Sequence, residues 1–547
     1  MVFGNGYMLA LAMMGGSVMV FSMQKITFLA IVTLLTACAQ NPATGGSMFT
    51  LVSQQQELAI GQASANYDLK TFGMYRPQSP ITRYVTNLCD RLWNVSEMAG
   101  RPNQCILLDN PEFNATATPG YITVYRGLLP YVSSEAELAA VLGHEAGHNN
   151  ARHIAQRQTA HTLLNTAILV GVIAAGQQGA SQQAVDGGVQ AAQQIGRAGL
   201  MTYSRANELE ADALGQRYME RAGYDKRESV NMVRGMLAKT AYMRQLATAL
   251  NGGEDPGDQR SIFSSHPATP DRIAQAAKLA GEPDGSVRLP AGITPATTQN
   301  DPQGRKRYLE MLDGTTFGPA RKFGIAGKDY LALPRFRQLL ALPQGFTLTH
   351  GGGEGPDPNR GWEKAEENPG YWQGAHPQSG TTFELELFQA RQGINPGALM
   401  EQLFRPFEDG GLQKLQLGDT VAYTGALAEK WGGNKRIRAI GFSLPHQNAI
   451  GIITITFTNA QQQAAYEGGF LKAMQNSQTL TEGQADKYQP LVIKTFTAAT
   501  GDSIVRHAQK VPTGALQDEL FRALNNLQPN QTLQVGQVYK TIADPNR

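Results

Sequence analysis

The sequence His144-Glu145-Ala146-Gly147-His148 constrains this chain more than any other stretch. On a helix, residues four positions apart share a face, so His144 and His148 can present their imidazoles to one metal ion. Two imidazole nitrogens and one carboxylate leave the fourth tetrahedral position of a zinc ion open for water, as in catalytic zinc sites. Glu145 adjoins the first histidine and can accept a proton from that water. The pattern therefore predicts a metal-dependent hydrolytic site.

The residues around this motif predict the helix that its spacing requires. Ser134 and Glu137 have the spacing of a capping box, and apolar residues recur between them and the motif. The alternative is a helix that carries two histidines and no metal. His153 follows His148 by five positions, whereas the extended pattern HExxHxxGxxH needs six, so we interpret His153 as a structural histidine on the same helix.

A third ligand is predicted in the sequence NELEAD at residues 207–212. The pattern favours a second helix that begins near Arg205 and ends at Gly223, a suitable C-terminal cap. Glu208 and Asp212 are four positions apart on it, so Glu208 can bind the metal while Asp212 hydrogen-bonds a ligating histidine. Without the first motif, these carboxylates would be read as a solvated acidic face.

The two motifs, with SSHPATPDR at residues 264–272, resemble the M48 family of zinc metallopeptidases, in particular a periplasmic, BepA-like branch. The resemblance covers about residues 50–280 and implies one zinc ion per chain, bound by His144, His148 and Glu208. It also implies that His266 takes the fourth zinc position and keeps the site latent.

The alternative for His266 is an ordinary loop histidine before a proline. Arg272 is expected to position that loop or the substrate. Tyr203 and Arg205 lie near the predicted second helix, and the sequence does not decide which of them contacts the oxyanion.

The activity implied by the resemblance is zinc-dependent hydrolysis of peptide bonds in misfolded or unassembled envelope proteins. Glu145 would deprotonate the zinc-bound water and pass the proton to the leaving amine, while zinc stabilises the developing oxyanion. The competing hypotheses are a chaperone-like or a peptidoglycan-associated scaffold lipoprotein with a latent zinc site.

Residues 1–37 are interpreted as a signal peptide and 38–50 as a lipid-anchored linker. Met23 precedes a basic residue and a short apolar run, so it is a better start than the uncharged stretch before it. The sequence LTAC, ending at Cys38, resembles a lipobox, which implies acylation of Cys38 and an outer-membrane anchor facing the periplasm. The alternatives are soluble export after cleavage near Ala39, or a membrane-spanning helix from an upstream start.

The composition bears on the binding partners and on a possible disulfide bond. A net charge of +2 with 17% charged residues indicates neither nucleic acid nor an acidic partner. Besides Cys38 the chain has Cys89 and Cys105, which form either a disulfide in an oxidising compartment or two buried thiols.

The predicted fold class is α+β. Residues 51–280 are expected to form a mainly helical, zincin-type protease domain with a small sheet. Helices are predicted at 48–73 and 83–93, and strands at 104–108 and 120–125. The second strand is a candidate edge strand to which an extended substrate could add, unless a loop covers it.

Composition divides the rest of the chain into segments. Residues 161–200 are apolar and then rich in Gly, Gln and Ala. The short apolar run, broken by glycine, favours a core helix and a flap over a membrane span. The alternative is a lid or a membrane-surface contact. A linker is predicted at 281–306 and an α+β domain at 307–490. Residues 491–547 resemble a LysM-like, peptidoglycan-binding module, and the alternative is a cap that packs on the rest of the chain.

Overall fold

The computed structural model describes most of the chain. Its described residues are 38–177, 203–250, 266, 269–281, 302–351, 371–376, 379–390, 394–404, 406–408, 411–427, 435–510, 516–528 and 530–545. The predicted signal peptide, most of the predicted linker and the Gly/Gln/Ala-rich run after residue 177 lie outside them. Within the described residues, no helix is both long and apolar enough to cross a membrane.

The first half of the chain is mainly helical around a small sheet. Its elements are β1 (Cys38–Gln40), β2 (Ser47–Phe49), α1 (Gln54–Thr71), α2 (Pro80–Asn94), β3 (Gln104–Leu108), β4 (Ala115–Thr118), β5 (Tyr121–Tyr125), a 3-10 helix (Arg126–Tyr131), α3 (Glu135–Asn150), α4 (His153–Gln177), α5 (Arg205–Arg221), α6 (Glu228–Leu250) and α7 (Pro270–Leu279).

The first two helices begin where their capping residues lie. Ser53 and Gln56 form a complete capping box, so α1 begins at Gln54 rather than at the predicted Met48. Met48 belongs instead to β2, which pairs antiparallel with β1. The predicted helix at 83–93 is confirmed as part of α2, which begins earlier because Ser79 caps it.

The small sheet contains a strand that the sequence did not predict. β4 pairs antiparallel with β5, and β5 pairs parallel with β3, which gives the order β3-β5-β4. The strand predicted at the edge is therefore central, and the prediction was wrong because β4 covers it. β4 has only four residues of alternating Ala and Thr, too weak a pattern to recognise as a strand.

The second half is rich in strands. Its elements are α8 (Pro302–Leu312), β6 (Ile325–Ala326), β7 (Tyr330–Leu333), β8 (Gln338–Ala341), β9 (Thr347–Gly351), β10 (Tyr371–His376), β11 (Thr381–Gln389), α9 (Pro396–Phe404), β12 (Gln413–Leu417), β13 (Thr420–Ala426), β14 (Arg436–Leu444), β15 (Ala449–Phe457), α10 (Ala460–Met474), β16 (Gln478–Thr479), α11 (Glu482–Ala485), β17 (Val492–Thr497), α12 (Ile504–Ala508), α13 (Gln517–Asn525) and β18 (Val538–Ala543), with short 3-10 helices at Arg321–Phe323, Pro334–Phe336 and Pro445–Gln447.

Two antiparallel sheets organise this half. Seven strands pair in the order β12-β13-β14-β15-β11-β10-β9, and four pair in the order β16-β8-β7-β6. Their apolar faces share one core cluster, in which Trp372, Phe442 and Phe470 are among the large side chains. A helical half followed by a strand-rich half confirms the predicted α+β class.

The C-terminal segment has the order β17-α12-α13-β18, and its two strands pair antiparallel. Its inner face packs into the core of the first half, because Leu520, Leu524 and Ile542 belong to the same buried cluster as Leu138 of α3. The Nζ of Lys540 is fully buried with its side chain and donates to the carbonyl of Val132, just before α3, at 2.7 Å. The C-terminal segment therefore contributes to the structure that holds α3.

Candidate metal centre

Helices α3 and α5 approach at backbone contact distance. A Cβ added at Gly143 would lie 3.0 Å from the carbonyl oxygen of Gly215, and one added at Gly147 would lie 2.9 Å from that of Ala211. A Cβ at Gly215 would lie 2.9 Å from the amide nitrogen of His144. Only glycine allows helices to come so close. This contact brings the imidazoles of α3 against the carboxylates of α5.

Four buried side chains converge at this crossing: His144, His148, Glu208 and His266, with ligand atoms all within 4.8 Å of one another. The Nε2 of His144 lies 3.0 Å from Nε2 of His148 and 3.3 Å from Nδ1 of His266. The Oε1 of Glu208 lies 3.4 Å from Nε2 of His148 and 3.0 Å from Nδ1 of His266. A buried carboxylate and three imidazoles so close together need a cation or shared protons to offset their desolvation.

The donor atoms fit a zinc ion. Donors at roughly 2.0–2.1 Å around a tetrahedral zinc are about 3.3 Å apart. Five of the six pairs among these four groups have a donor-atom separation of 3.0 to 3.5 Å, and all the ligand atoms lie within 4.8 Å of one another. Imidazole nitrogen and carboxylate oxygen are ligands that zinc accepts. Glu145 lies beside the cluster, and its Oε2 is buried without a hydrogen-bond partner among the described residues. That oxygen is free to contact a water at the metal.

Asp212 and Arg272 hold the side chains of His144 and Glu208 in place. Asp212 Oδ1 lies 2.8 Å from Nδ1 of His144, so an Nδ1–H donates to the carboxylate and Nε2 is the nitrogen that faces the cluster. Arg272 donates to both oxygens of Asp212, at 2.7 and 2.8 Å, and its Nη1 lies 2.8 Å from Oε2 of Glu208. Asp212 thus hydrogen-bonds His144, and Arg272 links Asp212 to Glu208.

His153 orients His148 through a chain of hydrogen bonds that the sequence analysis missed. Its Nδ1 lies 2.7 Å from Nδ1 of His148, and its Nε2 lies 3.1 Å from Oε2 of Glu210. If the Nδ1–H of His148 donates to His153 and the Nε2–H of His153 donates to Glu210, the Nε2 of His148 keeps a free lone pair. His153 does not lie on α3, because α3 ends at Asn150 and Arg152 has a left-handed φ of 56°.

The charges of the cluster favour a cation. Burial alone would raise the pKa of Glu208, but His266, His144 and His148 hold that pKa well below its usual range. Burial lowers the pKa of His148, so its imidazole stays neutral and can bind a metal. Burial also opposes protonation of His144, yet Asp212 and Glu208 raise its pKa to about 9. A metal at His144 therefore has to displace a proton.

Tyr203 and Arg205 are placed differently by the structure. The ring of Tyr203 stacks on His148, with centroids 3.9 Å apart, and lies 5.1 Å from the ring of His266. Burial raises the pKa of Tyr203, so its hydroxyl remains a donor. Arg205 instead forms an ion pair with Asp271 at the surface, where both side chains are more than half exposed. The structure thus brings Tyr203, but not the Arg205 guanidinium, against the cluster.

His266 reaches the cluster from the segment before α7. The carbonyl of His266 accepts a hydrogen bond of 3.3 Å from Nη1 of Arg272, the third residue of the helix that Thr269 caps. Its Nε2 lies 3.8 Å from Oε1 of Glu145. The neighbouring residues 264–265 and 267–268 lie outside the described part of the chain.

The N-terminal segment contacts the same region. Asn41, just after β1, donates to Oε1 of Glu210 at 3.1 Å, and Arg152 donates to the carbonyl of Val52. Cys38 is the first residue of β1, and its side chain is outside the described structure. Cys89 and Cys105 are buried free thiols, which is one of the two states left open by the sequence.

Comparison with known proteins identifies the region that carries the centre. Residues 81–280 match the profile described as Peptidase family M48. The chain is 28% identical to the beta-barrel assembly-enhancing protease of Yersinia pestis over 221 residues, which are 38% of this chain and 43% of that protein.

Two further relatives are similar to part of the chain. One is the putative beta-barrel assembly-enhancing protease of Vibrio cholerae, 27% identical over 267 residues, or 45% of this chain and 49% of that protein. The other is the mitochondrial metalloendopeptidase OMA1 of Schizosaccharomyces pombe, 26% identical over 236 residues, or 42% of this chain and 63% of that protein. The chain thus spans less than half of the two beta-barrel assembly-enhancing proteases.

Proposed function

We propose that this protein is a zinc-dependent metalloendopeptidase of the bacterial cell envelope, because residues 81–280 match the Peptidase family M48 profile and the chain is similar to a beta-barrel assembly-enhancing protease. The observation that carries the proposal is the convergence of His144, His148, Glu208 and His266 within 4.8 Å, next to a buried carboxylate that has a free oxygen. His144, His148 and Glu208 would hold the zinc ion, and Glu145 would act on the substrate.

A zinc ion held by these residues would supply Lewis acidity, which lowers the pKa of a water and polarises a carbonyl group. Glu145 takes the proton of the attacking water and returns it to the leaving amine. Its neighbours leave Oε2 without a competing hydrogen bond, so the carboxylate needs no rearrangement before it accepts that proton. We assign Tyr203 as the donor to the developing oxyanion, because its hydroxyl remains protonated and its ring packs on His148.

The supporting residues fix the geometry of this reaction. Asp212 holds His144 in the tautomer that directs Nε2 to the metal, and Arg272 forms ion pairs with both Asp212 and Glu208. His153 and Glu210 do the same for His148. Each ligand is thereby held before the metal binds, which reduces the ordering that binding requires.

We further propose that His266 is a latch. Its Nδ1 lies among the ligand atoms, where the fourth zinc position would be, and its Nε2 faces Glu145. A substrate carbonyl and the attacking water need that position, so the protein is inactive while His266 occupies it. The second candidate function is a chaperone-like or peptidoglycan-associated scaffold lipoprotein with a latent zinc site. The contacts of His266 favour this function if the latch never opens.

The cellular setting is proposed from the sequence and the relatives. Acylation of Cys38 would anchor the protein on the periplasmic side of the outer membrane. The names of two relatives, beta-barrel assembly-enhancing proteases, support misfolded or unassembled envelope proteins as substrates and a role in protein quality control. The β-α-α-β order of the C-terminal segment is compatible with peptidoglycan binding.

Casein cleavage by the full-length protein and by His266→Ala tests the proposal and its latch together. We expect zinc in both proteins and faster cleavage by His266→Ala. Zinc in both without cleavage by either would favour the scaffold function. Equal cleavage rates would retain the peptidase and reject the latch.

A further inference from the structure

The N-terminal segment, residues 38–53, contacts both helices that carry the support of His148. On α5, the side-chain amide of Asn41 donates to Oε1 of Glu210 at 3.1 Å. On α4, the hydroxyl of Thr159 accepts a hydrogen bond of 3.0 Å from the backbone N–H of Leu51. Contacts near both of its ends therefore hold this segment against the metal centre.

The side chain of Asn41 uses both of its polar atoms. Asn41 is 6% exposed, whereas the preceding Gln40 lies at the surface. Its Oδ1 accepts a hydrogen bond of 2.9 Å from the backbone N–H of Ala43, which stabilises the turn after β1. A backbone N–H can only donate, so the atom that faces Ala43 is the oxygen and the atom that faces Glu210 is the amide nitrogen. The oxygen thus belongs to the local turn, and the nitrogen contacts a residue 169 positions away.

Three hydrogen bonds connect Asn41 to a proposed zinc ligand. Glu210 accepts from Asn41 through Oε1, and its Oε2 lies 3.1 Å from Nε2 of His153. The Nδ1 of His153 lies 2.7 Å from Nδ1 of His148, and both imidazoles are fully buried. Since a carboxylate can only accept, His153 donates from Nε2 and accepts at Nδ1. His148 then donates from Nδ1 and presents the lone pair of Nε2 to the other ligands.

The orientation of the Glu210 carboxylate decides whether this arrangement forms. The side chain of Glu210 is 30% exposed, so water competes for its oxygens. Asn41 donates to Oε1 from a buried position and leaves Oε2 for His153. Without that donor the carboxylate can rotate toward water, and the Nε2–H of His153 loses its acceptor. His153 could then take the other tautomer, whose Nδ1–H faces His148 and no longer accepts from it.

We propose that Asn41 is a positioning residue of the metal centre, which holds Glu210 in the orientation that directs Nε2 of His148 to the metal. The inference rests on the proposed function, since it takes His148 as a zinc ligand. Asn41 follows Cys38 by three residues. The segment that would carry the lipid anchor therefore also supports a zinc ligand.

The test uses variants that separate the turn from the contact with Glu210. Asn41→Asp keeps an oxygen for the N–H of Ala43 but replaces the donor to Glu210 by a second carboxylate oxygen. Adding Glu210→Gln to Asn41→Asp restores the contact, because the new amide can donate to residue 41 and still accept from His153. Gln40→Glu is the matched control, since it also exchanges an amide for a carboxylate, at the neighbouring exposed position.

Two measurements report on the metal ligands themselves. All variants are made in the full-length His266→Ala protein, in which the latch does not compete for the metal. Zinc affinity is measured by competition with a chelator. In the cobalt-substituted proteins, the Nδ1–H protons of His144 and His148 give separate, strongly shifted NMR signals that disappear in D₂O. Asp212→Asn assigns the signal of His144, because Asp212 accepts from that N–H. Casein cleavage is measured on the same proteins.

We expect Asn41→Asp to weaken zinc binding about tenfold, as loss of an outer-shell partner does. It should change the His148 signal and leave the His144 signal in place. Adding Glu210→Gln should restore most of the affinity, and Gln40→Glu should change neither quantity.

Unchanged zinc affinity in Asn41→Asp, or a loss that Glu210→Gln does not reverse, would overturn the inference. If casein is nevertheless cleaved, the peptidase is retained and only the role of Asn41 is rejected. The expected affinities and signals without cleavage by any of the proteins would retain the role of Asn41 and reject the peptidase.

Discussion

The carboxylate of Asp212 lies 2.8 Å from Nδ1 of His144, and this contact decides which nitrogen of the imidazole faces the metal ligands. Asp212 is on α5 and His144 is on α3, so the hydrogen bond also joins the two helices. It is buried, and Arg272 on the other side keeps the pKa of Asp212 below its usual range although burial alone would raise it. The pair therefore remains a charge-assisted hydrogen bond at neutral pH.

Asp212→Asn should weaken zinc binding by about 10- to 100-fold, because the amide cannot support the His144 tautomer as the carboxylate does. Competition with a chelator of known affinity measures this change. Asp271→Asn is the control, since Asp271 pairs with Arg205 at the surface, and its zinc affinity should match the wild type. Equal affinity in Asp212→Asn would show that the contact does not orient the ligand.

Gly215→Ala should push α3 and α5 apart, since its Cβ would lie 2.9 Å from the amide nitrogen of His144. We expect a loss of about 1–3 kcal/mol in the free energy of unfolding together with weaker zinc binding. Urea denaturation and chelator competition measure the two effects. Gly468→Ala is the control: Gly468 lies on the exposed face of α10, with open space around the added Cβ. It should stabilise the protein by up to about 1 kcal/mol.

Leu524→Ala should destabilise the region that carries the metal centre, because Leu524 of the C-terminal segment is fully buried in its core. The expected cost is about 2–5 kcal/mol. Hydrogen exchange of α3 amides reports it locally, and faster exchange is expected there. Val505, which is 52% exposed in the same segment, supplies the control Val505→Ala. Unchanged exchange in α3 would mean that the segment folds as an independent module.

Glu228 should make the protein less stable as the pH rises from about 5 to 8. Burial, with a further contribution from Glu137, raises the pKa of Glu228 to about 8. Between the unfolded and folded pKa values the native state holds more protons, so stability falls with increasing pH, by at most about 1.4 kcal/mol per pH unit. Denaturation of wild type and Glu228→Gln at several pH values measures this. The free energy of unfolding of Glu228→Gln minus that of the wild type should increase as the pH rises. A difference that does not change with pH would contradict the raised pKa of Glu228.

The spacing of residues was enough to predict the helices of the metal centre. The histidines of α3 and the carboxylates of α5 are each four positions apart, and that spacing determines a shared face wherever the helix lies. The helix predicted from Arg205 to Gly223 ends as expected, with Gly223 at a positive φ of 84°. Local pattern thus specifies which side chains are presented together.

Contacts between distant segments could not be predicted in this way. His153 joins the centre because the chain turns at Arg152, whose left-handed backbone no sequence rule indicated. β4 was too short to recognise, so β5 was mistaken for an edge strand. Lys540 reaches Val132 across 408 positions, which only the folded packing of the C-terminal segment reveals.

The most direct test measures zinc content by mass spectrometry and casein cleavage on the same proteins. Three proteins are compared: the unlatched His266→Ala parent, and the same protein with Glu208→Gln or with Glu145→Gln added. The account predicts one zinc and activity in the parent, loss of both in Glu208→Gln, and zinc without activity in Glu145→Gln. Cleavage that survives Glu145→Gln, or a parent protein that binds no zinc, would contradict the account.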